Sequence, residues 1–237
     1  MRRLLGFLLA AGCLHRLSSQ FPLFDDGPRP RPSPRSAGSL RAGPAAPPPP
    51  SEDPWYRAPD GWEETAPGAV LRVRAAPHVA RAIAHALAAW QVLFRTTNSS
   101  RGAAWAVTTV LVPGRHYRCR AGESERCGHA LLSYQTPYDS ASPDAGPSHA
   151  LALAGEPGGA YGEVAEALFR GWFVSVPDYE GPAASYTAGV ASGLATIDSV
   201  RAVLAAAGNW GMRSEDAKVA MFGYSGGALA SEFAAGE

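Results

Sequence analysis

Apolar and polar positions follow two periods along this chain. From Pro77 onward, Val79, Ile83, Leu87, Trp90 and Phe94 recur at helical spacing. Proline is favourable at a first helical position because its missing donor is unused there. The spacing predicts an amphipathic helix over residues 77–94, with His78 at its start and His85 off the apolar stripe, both solvated. Residues 105–112, rich in Val and Thr and closed by Pro113-Gly114, predict a strand and a turn. A second apolar run, 130–134, leads into Gln135-Thr136-Pro137-Tyr138-Asp139.

Beyond it the two periods alternate: a helix over 161–169, a strand over 172–176, a helix over 187–204, a buried strand over 218–222 and a helix of good formers over 228–235. Val190, Leu194, Ile197, Val200 and Leu204 give the longest of these helices one buried face. Strands alternating with helices predict an α/β fold, a mostly parallel sheet with helices on both faces.

The first sixty residues have neither period. Arg2 and Arg3 precede a short apolar run, 4–14, which has the length of a signal-peptide core and is too short to span a bilayer. Residues 1–20 are expected to be an export signal, cleaved near Gln20, and the product to be extracellular. Twelve of the 21 prolines fall within residues 21–59, mixed with Arg29, Arg31, Arg35 and Arg41. Such a stretch forms neither a helix nor a central strand, so residues 21–60 are expected to be a disordered pro-segment or linker.

Charge and cysteine content remove several classes of partner. Lys plus Arg and Asp plus Glu each number 21, and this balance removes the electrostatic case for nucleic acid. Three cysteines without paired C-x-x-C spacing predict no metal site, and no cofactor is expected. Cys119 and Cys127 are close enough in sequence for a local disulfide; pairing with another cysteine is the rival. Asn98-Ser99-Ser100 is a glycosylation acceptor.

The chemistry is written at the end of the last strand. Gly223-Tyr224-Ser225-Gly226-Gly227 matches G-x-S-x-G, where a sharp strand-to-helix turn holds a serine exposed and strained. A Gly-rich connector is the alternative. In the functional reading Ser225 attacks an acyl carbon, a base takes its proton, and the Gly226 N–H stabilises the oxyanion. A second donor is needed, and a loop after an early strand usually supplies it, which points to Tyr138-Asp139-Ser140.

Four ordered blocks carry a resemblance: residues 107–113 (VTTVLVP), 133–140 (SYQTPYDS), 176–182 (VPDYEGP) and 223–227 (GYSGG). Together they resemble the fungal secretory lipase family, the Candida antarctica lipase A type of α/β-hydrolase. The resemblance covers residues 75–237 and implies that residues 61–237 are the N-terminal part of such a domain. It implies that Ser225 is the nucleophile, Gly226 the backbone oxyanion donor, and Asp139 a protonated carboxyl giving the second oxyanion hydrogen bond. An Asp donates only when neutral, which an apolar site favours. Asp178 and Glu180 are expected to shape the strand end and the loop beside the elbow. The implied activity is hydrolysis of triacylglycerols or other carboxylic esters, with a lipid or ester as partner at a lipid–water interface and no transmembrane segment.

One departure qualifies this expectation. In α/β-hydrolases an Asp or Glu and then a His follow the nucleophile, yet only twelve residues follow Ser225 and none is His or Asp. His116, His129 and His149 are expected to be exposed loop residues. The chain is therefore expected to stop after the nucleophile elbow, to leave a hydrophobic strand as an unpaired sheet edge and to be inactive alone. A non-catalytic relative, or a peptidase or acyltransferase on the same fold, is the alternative.

Overall fold

The computed structural model of the chain describes residues 47–114, 129–153 and 161–237. Strands β1 (Val70–Ala75), β2 (Ala86–Thr97) and β3 (Ala103–Pro113) pair antiparallel in succession. Three shorter strands follow, β4 (Ala130–Gln135), β5 (Phe173–Pro177) and β6 (Lys218–Gly223). The order across the sheet is β1-β2-β3-β5-β4-β6. β5 is antiparallel to β3 and parallel to β4, and β4 is parallel to β6, so β2, β4, β5 and β6 all point the same way.

Helices cover both faces because successive strand residues point to opposite sides. On one face α1 (Pro77–Ala82), α2 (Pro147–Leu153) and α3 (Gly162–Phe169) bring Val79, Leu151, Val164 and Leu168 against Leu111, Leu132 and Val174. On the other, α4 (Gly189–Ala205) and α5 (Gly226–Ala235) bring Ala195, Val200, Val203 and Ala230 against Val92, Val110, Leu131 and Phe173. Each fully buried Val, Leu or Phe contributes roughly 1.5–3 kcal/mol. This is an α/β-hydrolase sheet with helices on both faces.

The helix expected over 77–94 is not formed as such. Its first turns become α1, but the chain turns at His85, whose φ is 67°, and continues as β2. Gln91, Val92, Leu93 and Phe94 are all buried between β1 and β3, while Leu87, expected on the apolar stripe, is 58% exposed. A strand covered on both faces is a continuous apolar run, and such a run matches a helical template by coincidence. His85 is exposed, with its ring 5.2 Å from that of Phe169, and His78 is half-buried.

Three further expectations change. Residues 47–60, the end of the stretch expected to be disordered, are ordered: Arg74 pairs with Asp53 at 2.5 Å and lies over the Trp55 ring, and the Trp105 indole N–H donates to the Tyr56 carbonyl at 3.1 Å. Prolines exclude regular structure there but not anchoring by their neighbours. His129 is buried rather than exposed, because its carbonyl accepts from Lys218 N–H at 2.6 Å as β4 joins β6. His149 lies on α2, half-buried, with Nδ1 3.0 Å from the Asp144 carbonyl oxygen.

Helix α4 buries more than the expected stripe. It is clamped between the sheet and α5, so Gly189, Ser192, Thr196, Asp198 and Ser199 are buried while Val190, Ile197 and Leu204 are half-buried. Asp198 accepts from Thr96 on β2 at 2.8 Å and from Arg201 at 2.6 Å. Strand β6, expected to be buried, is largely exposed because it forms the sheet edge. The expected signal (1–20), most of the linker, Cys13, His116, Cys119 and Cys127 lie outside the described residues.

Candidate active site

Strand β6 runs into α5 through a turn that only particular residues permit. Ser225 caps α5 with φ 54° and ψ −123°, outside the regions open to L-residues at low cost. Holding a residue there costs about 1–3 kcal/mol. The chain tolerates it because the flanking glycines let backbone pack on backbone. A side chain at Gly223 would collide with the Gly227 carbonyl, and one at Gly227 would collide with the carbonyl oxygen of Gln135 at the end of β4. Ser231, one turn into α5, hydrogen-bonds the Gln135 side-chain amide at 2.8 Å, fixing α5 to that strand end. On the far side, a Cβ on Gly193 would lie 2.6 Å from Phe233, so α4 also admits α5 only through glycine.

The turn leaves the Ser225 side exposed, at the edge of a cleft of about 260 Å³. Asp139, from the loop after β4, lines the same cleft, and its Oδ1 would lie 2.5 Å from a Cβ at Gly226. The fold therefore brings Ser225, Gly226 and Asp139 together. Gly226 opens α5, and first-turn N–H groups have no acceptor within their own helix. Asp139 itself is exposed rather than enclosed by apolar groups, because the cleft is open on its side.

Two tyrosines lock the loop carrying Asp139 to the loop after β5. Tyr179 donates its hydroxyl proton to the Thr136 carbonyl at 2.6 Å, and the Tyr138 hydroxyl accepts from the Glu180 N–H at 2.8 Å. Their rings lie 4.9 Å apart. Ala184 and Thr187 on the following loop have φ of 45° and 62°, and Thr187 lines the cleft.

The neighbouring acids Asp178 and Glu180 face different surroundings. Asp178 is buried and accepts from Ser148 N–H at 2.7 Å and from Ser148 Oγ at 2.5 Å, which ties α2 to the end of β5. Burial pushes its carboxyl up to about 7 against the lowering effect of those hydrogen bonds. Glu180 is only 4% exposed, lines the Ser225 cleft, and its Oε2 has no hydrogen-bond partner among the described residues. Burial first, and the charge of Asp139 after it, push Glu180 up to about 7, while a Ser140 backbone hydrogen bond opposes the shift.

Among the described residues no histidine lines the cleft. His129 is buried with neither ring nitrogen hydrogen-bonded. Asn98 stands exposed on the turn after β2, with Oδ1 accepting from Ser100 N–H at 3.0 Å and Gly102 N–H at 2.9 Å. Tyr179, Tyr186, Thr187, Ser192 and Leu229 complete the cleft. Of these, sequence reasoning singled out only Tyr179, and only inside the 176–182 block; Tyr186, Thr187 and Ser192 carry no pattern.

Comparisons with known proteins agree with this geometry. Residues 161–236, which include β5, α4, β6 and α5, match the family model of secretory lipases. The chain is 46% identical over 198 residues to a trichothecene C-3 esterase of Fusarium sporotrichioides, covering 83% of this chain and 43% of that protein. It is 41% identical over 203 residues to lipase A of Arthroderma benhamiae, covering 80% and 41% respectively. Among solved structures, Candida antarctica lipase A in its closed state superposes with a TM-score of 0.64 at 31% identity, covering 80% of this chain and 43% of that one. The chain thus spans about two fifths of the length of the relatives it matches. Family model, relatives and fold thus agree that what this chain is similar to is the secretory lipase family.

Proposed function

We propose that this chain carries the nucleophile and oxyanion groups of a secreted serine hydrolase that cleaves carboxylic esters. The observation that carries the reading is Ser225 held at φ 54° between β6 and α5, on one cleft with Gly226 and Asp139. In this mechanism Ser225 Oγ attacks the ester carbonyl, the oxyanion forms against the Gly226 N–H and beside the Asp139 side chain, and the alcohol leaves from an acyl-enzyme that water then hydrolyses.

Lipases and a trichothecene C-3 esterase among the relatives favour a carboxylic ester substrate, a triacylglycerol or the ester of another apolar alcohol. The family's secretory character and the exposed Asn98 acceptor support export. No helix of the described residues is long and apolar enough to cross a membrane.

The test is hydrolysis of p-nitrophenyl butyrate and tributyrin by the secreted product that carries this chain. Ser225→Ala is expected to lower kcat/KM by roughly a thousandfold or more. An unchanged rate in Ser225→Ala would sink the proposal.

A further inference from the structure

Tyr179 joins the two halves of the oxyanion site. It is 3% exposed, belongs to the core cluster that includes Ala230 of α5, and its ring lies 4.9 Å from that of Tyr138. Its hydroxyl donates to the Thr136 carbonyl at 2.6 Å, at the start of the loop that leads to Asp139. The same hydroxyl oxygen lies 3.3 Å from the point where a Cβ on Gly226 would stand, and Asp139 Oδ1 lies 2.5 Å from that point. The loops after β4 and β5 and the first turn of α5 therefore converge on a volume with no room for a methyl group. The backbone on either side of Tyr179 is held as well. Asp178 N–H donates to the Val107 carbonyl at 2.8 Å and the Asp178 carboxyl accepts from Ser148, whose Oγ lies 3.0 Å from the Tyr56 hydroxyl. Glu180 N–H donates to the Tyr138 hydroxyl at 2.8 Å.

We propose that Tyr179 is a positioning residue for ester cleavage at Ser225: with its hydroxyl on the Thr136 carbonyl and against the Gly226 backbone, it sets the distance between the Asp139 loop and the first turn of α5. This rests on the roles given above to Ser225, Gly226 and Asp139. The single hydroxyl proton is taken by the Thr136 carbonyl, so Tyr179 acts through the loop and not on the oxyanion itself. Negative charge builds on the ester oxygen only toward the transition state, so a spacing error between the Gly226 N–H and Asp139 weakens the transition state more than the bound ester. A misplacement of about 1 Å costs up to about a hundredfold in rate.

Tyr179→Phe keeps the ring and removes the hydroxyl. The Thr136 carbonyl retains the Tyr138 N–H, 3.0 Å away, as its donor, so the variant orphans no buried group and keeps the fold. In the secreted product that carries this chain, kcat for p-nitrophenyl butyrate is expected to fall about ten- to a hundredfold while KM moves by less than about twofold. Ser199→Ala is the control: it removes another buried hydroxyl-to-carbonyl bond, 2.7 Å to Thr196 and outside the cleft lining, and is expected to keep the parent kcat. An unchanged kcat in Tyr179→Phe, or an equal loss in Ser199→Ala, overturns the positioning role. The coupling itself is read without catalysis, from hydrogen exchange at the Tyr138 amide in the 237-residue protein. Exchange there is expected to quicken about tenfold in Tyr179→Phe, while the amides of β3 keep their parent rates. An unmoved Tyr138 rate overturns the inference whatever the esterase assays show. Cleavage indifferent to Ser225→Ala overturns the functional reading instead, so the two failures are separable.

Discussion

The Gly227 backbone lies directly against the carbonyl oxygen of Gln135, leaving no space for a side chain between α5 and the end of β4. That contact brings the nucleophile turn to the loop carrying Asp139, so it is both a packing and a site-forming relationship. Gly227→Ala is expected to destabilise the fold by about 1–3 kcal/mol, because the obstruction is backbone and not the movable end of a side chain. Urea unfolding at fixed pH measures it, and a loss below a few tenths would mean that α5 slides without penalty.

Ser225 predicts a gain in stability from a loss of function. Its strained backbone costs about 1–3 kcal/mol, whereas glycine adopts positive φ freely and loses about 0.5–1 kcal/mol through its more flexible unfolded chain. The Ser225 side chain makes no capping hydrogen bond, so no such bond is lost. Ser225→Gly is therefore expected to stabilise the protein by about 1 kcal/mol while abolishing ester cleavage. Chemical denaturation checks the sign; a destabilised variant would mean that the turn is not strained.

The exposed edge of the sheet predicts self-association. Val219 and Phe222 on β6 are 39% and 45% exposed, and Tyr224, Leu229 and Phe233 beside them are exposed too. An unprotected strand with an apolar flank is a template for pairing with another chain. The 237-residue protein is expected to elute above its monomer mass at micromolar concentration, and Val219→Lys to shift it toward monomer. Light scattering that reports a clean monomer for the parent would exclude edge pairing.

Where the sequence could be read, local signals and tertiary environment agreed. Strand β3 is a Val/Thr run closed by Pro113-Gly114, and β6 with α5 is marked by the glycines its turn requires. Reading failed where burial came from distant partners. Trp90 and Phe94 match a helical stripe, yet β1 and β3 on either side make them strand residues. Pro47–Pro50 conceal the anchors supplied by Asp53, Trp55 and Tyr56, whose partners Arg74 and Trp105 lie on other strands. Asp139 and Glu180 line one cleft only because β4 and β5 are neighbours in the sheet, an adjacency no local pattern encodes.

Asp178 gives the stability of the fold a predictable dependence on pH. Burial lifts its carboxyl from 3.8 to about 7, so the folded chain holds the proton more tightly than the unfolded chain does. Its contribution is fully present below about pH 4 and is lost as pH rises through about 7, by up to roughly 1.4 kcal/mol per unit within that window. Glu180, also lifted to about 7 by burial, acts in the same direction over the same window. Asp178→Asn removes one of the two titrations, so the decline of unfolding free energy between pH 4.5 and 6.5 is expected to be shallower by about 1 kcal/mol per unit than in the parent. The slope is the informative quantity, because the amide also alters the hydrogen bonds to Ser148 and so shifts absolute stability at every pH. Parallel slopes in parent and variant, from urea unfolding at three pH values, would show that Asp178 reaches solvent and is not held neutral by burial.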